Sequence, residues 1–392
     1  MLRQWLRLSV MGMASLPSRL GASSVIVIGI ACVVGVFISV LAMSAGFRHT
    51  LAGSARADRV ITLRGGSDAE LNSNLTRDDV DVISNAPGIA KDAAGHLLLS
   101  KEVITVVNVP KLDTGVDSNL TLRGVGAALG EIRPELRITE GRMFRPAVRE
   151  LIAGVGAAKQ FRGLSVGSML HFRNADWTVV GLFSSNGDIH ESELLADVDT
   201  VASSIERQGY SSTVAVLTSP DAFATFKDAL TSNPQLTVEV QRETDYYAAQ
   251  SAQLTKIIDV IGNLVALIMA FGATFGALNS MYSAVATRGK ELATLRAIGF
   301  NPLPVLLSVM TEAFALALFG ATIGALIAWL IFNGYTVSTL GGAFAQVVFK
   351  LSVTPQLVIE AVIWACFIGL LGGLFPALRS VRMSVSEALR TG

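Results

Sequence analysis

Three stretches of this chain hold residue types whose spacing has chemical meaning. The first is Arg288-Gly-Lys-Glu291-Leu292-Ala-Thr-Leu295-Arg296-Ala297-Ile-Gly299, set between two long apolar segments. It is short, basic and helix-forming, and it ends on a glycine followed by Asn301-Pro302, which are helix stop signals. A small charged helix at a membrane face is a surface for docking rather than for bond chemistry. The second is Asp188-Ile-His190-Glu191-Ser-Glu193, followed by Asp197 and Asp199. Carboxylates and an imidazole are cation donors, but this spacing matches no known cation-binding loop and reads as a solvated acidic loop. The third is Glu312, about nine residues into an apolar run, with Asn279 and Ser280 late in the run before it. A carboxyl inside a span is a functional hypothesis by default. A proton relay needs partners deeper in the bilayer, and the sequence offers no chain of them. Glu312 therefore reads as a structural group that pairs with a neighbouring helix end or basic loop.

The rest of the chemistry is missing from the sequence. No Gly-x-x-x-x-Gly-Lys-Ser/Thr run is present to cradle phosphates. His49, His96, His171 and His190 are scattered, and no Ser-centred nucleophile motif occurs. The expectation is a non-catalytic chain with no metal and no cofactor of its own. Formal net charge is zero, so no bulk field suggests nucleic acid.

These stretches are positioned by an apolar scaffold. The 392 residues are 51% apolar and 16% charged, and the apolar ones concentrate at 24–45, 257–287, 303–333 and 355–378. Each run reaches the roughly 20 residues that a bilayer crossing needs. The predicted fold class is an α-helical integral membrane protein with four transmembrane helices and a large α+β domain between the first two spans. The first run is too long for the apolar core of a signal peptide and reads as a retained anchor. Arg3, Arg7 and Arg19, then Arg288, Lys290 and Arg296, then Arg379, Arg382 and Arg390 flank span ends. The positive-inside rule makes those segments cytoplasmic. The expected order is an amphipathic helix over 1–20, spans over 21–46, 246–287, 301–334 and 355–378, and a coupling segment over 288–300. An external domain covers 47–245, with a second lobe over 131–205, an external loop covers 335–354, and a cytoplasmic tail covers 379–392. In the first segment, Leu2, Trp5, Leu6, Ser9, Met13 and Leu16 fall on one face, opposite Arg3, Gln4 and Arg7. Pro17 ends it.

Cys32 and Cys366 both fall in spans, so the external domain folds without disulfides. Strands are predicted at 60–63, 103–109, 177–183, 214–217 and 236–240, where β-branched residues dominate. Helices are predicted at 77–85, 155–162 and 220–232. From Thr244 to Thr287 no proline interrupts the helical pattern. At 1.5 Å per residue that gives about 65 Å of helix, against a hydrocarbon core of about 30 Å. The part around Tyr246 to Lys256 therefore continues outside as a stalk. Gly272/Gly276 and Gly320/Gly324 permit close helix approach. With Glu312 alone at depth, the spans form no continuous polar pathway.

The layout resembles the FtsX-like permeases of ABC transporters, the mechanotransmission systems that include macrolide exporters and lipoprotein-releasing permeases. The connector is similar to the family pattern at Arg288, Glu291, Leu292, Ala293, Arg296, Ala297 and Gly299. Glu312, Gly320 and Gly324 resemble the third span. Gly373-Leu-Phe-Pro376-Ala377 and Glu387-Ala388-Leu389-Arg390 resemble the last span and tail, with Val385 where a proline is usual. Gly141-Arg142-x-Phe144 and Ala153-Gly-Val-Gly-Ala-Ala158 resemble the macrolide-exporter periplasmic domain. The resemblance implies a bacterial inner-membrane permease with cytoplasmic termini, whose connector residues Arg288, Glu291, Leu292, Leu295, Arg296 and Gly299 dock on an ABC ATPase. Because few residues precede the first span, the ATPase is expected on a separate chain, in two copies that bind the ATP and Mg. A second permease copy, membrane lipid, a periplasmic adaptor and an outer-membrane duct complete the implied partners. Efflux is the leading expectation. Lipoprotein extraction and signalling to a periplasmic hydrolase are the alternatives.

Overall fold

A computed structural model describes residues 2–14, 20–173, 175–287, 291, 294, 296–340 and 346–382. They fall into two compact units. One comprises Met1–Ala45, Ile257–Tyr335 and Leu351–Gly392; the other comprises Gly46–Lys256 and Thr336–Lys350. In chain order, α1 (Leu2–Ala14) and α2 (Leu20–Gly53) precede β1 (Arg59–Arg64), α3 (Arg77–Ser84), β2 (Leu99–Pro110) and β3 (Asp117–Val125). Next come α4 (Leu129–Ile132), β4 (Arg137–Gly141), β5 (Glu150–Gly154), α5 (Val155–Ala158), β6 (Met169–Phe172) and β7 (Ala175–Ser184). Then follow β8 (Glu193–Asp197), α6 (Val198–Ser204), β9 (Ser212–Val216), α7 (Ala222–Thr231) and β10 (Val238–Arg242). The chain continues through α8 (Glu243–Thr287), α9 (Pro302–Phe332), β11 (Thr336–Leu340), β12 (Gln346–Lys350) and α10 (Pro355–Arg382).

Among the described residues, four helices are long and apolar enough to cross a membrane: Ser23–Gly53, Glu243–Thr287, Pro302–Phe332 and Pro355–Arg379. Small residues set the packing of the membrane unit. A Cβ at Gly320 would sit 2.8 Å from the Val27 carbonyl oxygen, and one at Gly324 would overlap the Ala31 carbonyl oxygen. Those two glycines therefore let α9 lie directly on the backbone of α2. A Cβ at Gly272 or Gly276 would meet no heavy atom within 4 Å among the described residues of this one chain. α1 rests on α9, where the Trp5 Nε1–H donates to Thr311 Oγ1 at 3.0 Å. The face it buries holds Leu8, Ser9 and Gly12, while Leu2, Leu6 and Met13 are exposed. Of the predicted apolar face, Trp5 reaches α9 and Ser9 is buried, while Leu2, Leu6 and Met13 stay exposed. Small Ser9 and Gly12 allow close approach to α9, and the larger side chains are left on the outside.

The other unit is built on a ten-stranded sheet, ordered β10-β1-β9-β2-β3-β8-β5-β7-β4, with β6 also on β7. β2 is the bridge. Its first residues pair with β9 (Leu99↔Ala215 to Glu102↔Ser212), and the rest pair with β3 (Val103↔Gly124 to Pro110↔Asp117). One strand thus joins two half-sheets. Residues 131–205 supply β4 to β8, which continue this sheet beyond β3 and form no sheet of their own. The core runs through both halves, including Val60, Val103, Leu122, Leu151, Leu194 and Val240, with Trp177 fully buried and stacked on Phe172. The predicted helix over 155–162 is a single turn, α5, and the loop predicted over 335–354 contains the antiparallel hairpin β11–β12. Ser192 fixes that hairpin, since its Oγ accepts from the Val348 N–H at 2.8 Å.

Candidate functional site

The connector between α8 and α9 is the first candidate. Arg288, Leu292 and Leu295 lie outside the described residues. Glu291, Thr294, Arg296 and Ala297 are helical, and Glu291 is exposed. Gly299 has φ +102°, the left-handed conformation that closes a helix and that glycine adopts without strain. The Gly299 N–H donates to the Arg296 carbonyl at 3.1 Å. Asn301 then caps α9 in extended backbone, and Pro302 occupies its first turn, where its missing N–H costs nothing. The proline predicted as a stop signal is therefore also a start. Arg296 Nη1 donates to the Val381 carbonyl at 3.0 Å, tying the connector to the last turn of α10. Arg379 lies over the Tyr282 ring, 5.6 Å from its centroid, and joins α10 to the end of α8. Ile298 is 69% exposed. Glu312 is buried on the face of α9 that holds Val309, Ala313 and Leu316.

The acidic loop is engaged within the protein. Asp188 accepts from the His190 N–H and from Ser185 Oγ, and Glu191 accepts from the Ser185 and Gly187 N–H groups. Asp197 caps α6 by accepting from Thr200, and Asp199 pairs with Lys101 at 3.3 Å. Its oxygens are taken by turns, a helix cap and an amine.

Glu193 leads instead into a buried ionic network. Its carboxylate meets Arg123 on β3 at 2.8 Å and His190 Nδ1 at 2.9 Å. Arg123 also meets Glu70 at 2.9 Å and Glu102 at 2.6 Å, so one guanidinium joins three glutamates. A second cluster surrounds Glu243, the first residue of α8. Arg59 Nε lies 2.5 Å from Glu243 Oε2 and Arg133 Nη2 lies 3.0 Å from Oε1. Arg59 also pairs with Glu135 at 2.5 Å. Arg59, Arg123 and Arg133 are all buried. At Arg123 and Arg133 burial works against the charge, and the carboxylates prevail. Glu193, Glu70 and Glu102 hold Arg123 well above its ordinary pKa, and Glu243 likewise raises Arg133. Burial pushes Glu193 up, but Arg123 and His190 outweigh it, and the net shift is downward.

The comparisons with known proteins decide the family. Residues 21–233 match the MacB-like periplasmic core domain, and residues 263–385 match the FtsX-like permease C-terminal domain. The chain belongs to the MacB- and FtsX-like permeases of ABC transporters. A macrolide export ATP-binding/permease protein MacB of Chlorobium luteolum is 24% identical over 93% of this chain and 57% of its own length. An uncharacterised ABC transporter permease of Methanocaldococcus jannaschii is 20% identical over 75% of this chain and 80% of its own. The chain spans little more than half the length of the MacB relatives it matches. The extracellular domain of the noncanonic ABC-type transporter YknZ aligns with 47% of the chain and 99% of that domain, at TM-score 0.37 and 16% identity. The periplasmic region of MacB from Actinobacillus actinomycetemcomitans aligns with 53% of the chain and 94% of that region, at TM-score 0.37 and 13% identity.

In this MacB-like permease the connector was legible in the sequence, and the buried network was not. Its only trace is a charge set inside an apolar strand run, such as Arg123 in Leu120-Thr-Leu-Arg-Gly-Val125. The network gives the external domain a pH dependence. Glu193 has a folded-state pKa below the ordinary 4.5 of an unfolded glutamate. Its contribution to stability is therefore complete above about pH 4.5 and is lost as pH falls further. Unfolding followed by Trp177 fluorescence is expected to move to lower temperature below that pH. Glu193→Gln is expected to flatten the slope, and an unchanged slope would show that Glu193 is not its source.

Proposed function

We propose that this permease is the membrane subunit of an ATP-driven exporter that works by mechanotransmission. ABC ATPase subunits carry the ATP and Mg and bind the connector helix from the cytoplasm. Their closure moves the connector, and α8 passes the displacement to the periplasmic domain. The domain then drives export through an adaptor and an outer-membrane duct. Two permease copies act with two ATPase copies in the inner membrane, with both chain termini cytoplasmic.

The observation that carries this reading is the build of the connector. A membrane loop selected only for solubility has no reason to be helical, to present Ile298 to the outside, and to be fastened by Arg296 to the end of α10. Fastening to two spans is what lets a push on the connector move helices rather than bend a loop. Glu291→Lys and Arg296→Glu are each expected to reduce co-purification of the ATPase by about tenfold, equivalent to about 1.4 kcal/mol of binding. Membrane insertion is expected to stay normal. Wild-type recovery of the ATPase with both variants would remove the connector from the docking surface.

A further inference from the structure

The chain enters the periplasmic domain after α2 and leaves it at α8, and the two points are adjacent. β1, the first strand after α2, pairs antiparallel with β10, the last strand before α8, through Val60↔Arg242. Arg59 and Glu243 stand one step beyond that pair. Between them the Glu243 carboxylate gathers three parts of the domain. Its Oε2 accepts from the Arg56 N–H at 3.2 Å, on the link that follows α2. Arg59 Nε lies 2.5 Å from the same oxygen, and Arg59 Nη2 donates to the Ser54 carbonyl at 2.7 Å. On the other side Arg133 Nη2, just after α4, lies 3.0 Å from Oε1. Arg59 Nη1 donates to the Ile132 carbonyl at 3.1 Å and pairs with Glu135. The segment from α4 to β4 thus receives contacts from both Arg59 and Glu243, and it belongs to the half-sheet beyond β2.

We propose that Glu243 joins the end of α2 and the start of α8 into one lever and passes its movement through Arg133 to the far half-sheet. Glu243 is a positioning residue in this role, and the inference rests on the mechanotransmission reading above. Two features suit a joint. The carboxylate is 1% exposed, so water does not screen it. Its contact to Arg133 is close, yet Glu243 Oε1 and the Arg133 Nε and Nη1 have no aligned hydrogen bond among the described residues. Attraction between charges depends on distance more than on angle, so such a contact transmits a pull while tolerating rotation.

The test is hydrogen exchange on the permease–ATPase complex in lipid nanodiscs, with and without ATP and vanadate. Wild type is expected to show an ATP-dependent change in exchange both at residues 248–256 of α8 and at residues 129–141. Glu243→Gln is expected to keep the first change and lose at least half of the second. A second variant covers loss of folding by Glu243→Gln. Arg133→Gln leaves the Arg56 and Arg59 contacts of Glu243 in place and is expected to keep the change at 248–256 and to lose at least half of that at 129–141. A full change at 129–141 in either variant would overturn the joint and leave mechanotransmission standing. No ATP-dependent change anywhere in the wild-type domain would overturn both.

Discussion

Arg123→Leu is expected to destabilise the periplasmic domain by about 3–5 kcal/mol, because it leaves a group of buried carboxylates without their shared cation. Glu193, Glu70 and Glu102 reach Arg123 from different parts of the domain. Glu193 opens β8, Glu70 lies in the link between β1 and α3, and Glu102 lies at the point of β2 where its partner changes from β9 to β3. The glutamates are less than 6% exposed, so water cannot replace the lost guanidinium. The pH response is expected to change sign as well. In wild type, Glu193 lies below its ordinary value and acid destabilises. Without Arg123, burial dominates, Glu193 moves above that value, and acid partly restores the fold. Thermal unfolding at pH 7, at pH 5 and at about pH 3.5 measures both effects, since the wild-type loss begins only below the ordinary glutamate pKa. A loss under about 1 kcal/mol at pH 7 would mean that water or a rearranged side chain compensates the carboxylates.

The membrane spans were legible because a bilayer selects long apolar runs, and four such runs became four helices. Strands with β-branched runs were legible for the same kind of reason: 60–63 became β1, 103–109 became part of β2, and 177–183 became part of β7. β3, β5 and β8 were not. Glu150-Leu-Ile-Ala-Gly154 and Glu193-Leu-Leu-Ala-Asp197 are short and rich in leucine and alanine, and nothing local distinguishes them from helix. They are strands because β3 offers its edge to β8, and β8 then offers its own to β5. The glycines show the same limit in the membrane. Gly272/Gly276 and Gly320/Gly324 have identical spacing, but among the described residues of one chain only the second pair meets a neighbour, because α2 lies there. In the site, the connector was readable since its helix ends on local signals, Gly299 in the left-handed conformation and Pro302 at the start of α9. The ionic network was hidden since Arg59, Arg123 and Arg133 find partners far along the chain.

The network also stiffens the domain against separation of its strands. Purely apolar contacts between two half-sheets slide at small cost, because dispersion and burial have little directional preference. Ion pairs in a dry interior resist separation far more strongly than exposed ones. Arg123 lies on β3 and reaches Glu102 on β2 and Glu193 on β8, so it resists opening on both sides of its strand.

Ala252→Pro is expected to abolish the ATP-driven displacement of the periplasmic domain while ATP hydrolysis continues. α8 is a single helix of 45 residues, about 67 Å at 1.5 Å per residue. A proline at 252 removes the hydrogen bond from that N–H to the Ala248 carbonyl and drives its ring against the same carbonyl. The local cost is about 3 kcal/mol. Whether such a cost straightens or bends a helix depends on what packs along it. Packing along α8 is one-sided: Tyr247, Ser251 and Thr255 are buried, whereas Ala252 is exposed, and Ile257, Val260, Ile261, Leu264 and Ile268 are all more than half exposed. Among the described residues, none on that exposed side opposes a bend at 252, and the kink persists. A kinked strut yields to a push by bending further, so the displacement made at one end is not delivered at the other. The connector residues Glu291 and Arg296 are untouched, so ATPase binding and turnover are expected at wild-type levels. Spin-label distances between the two periplasmic domains, with and without ATP and vanadate, give the readout. A wild-type distance change in Ala252→Pro would show that α8 is not the element that carries the stroke.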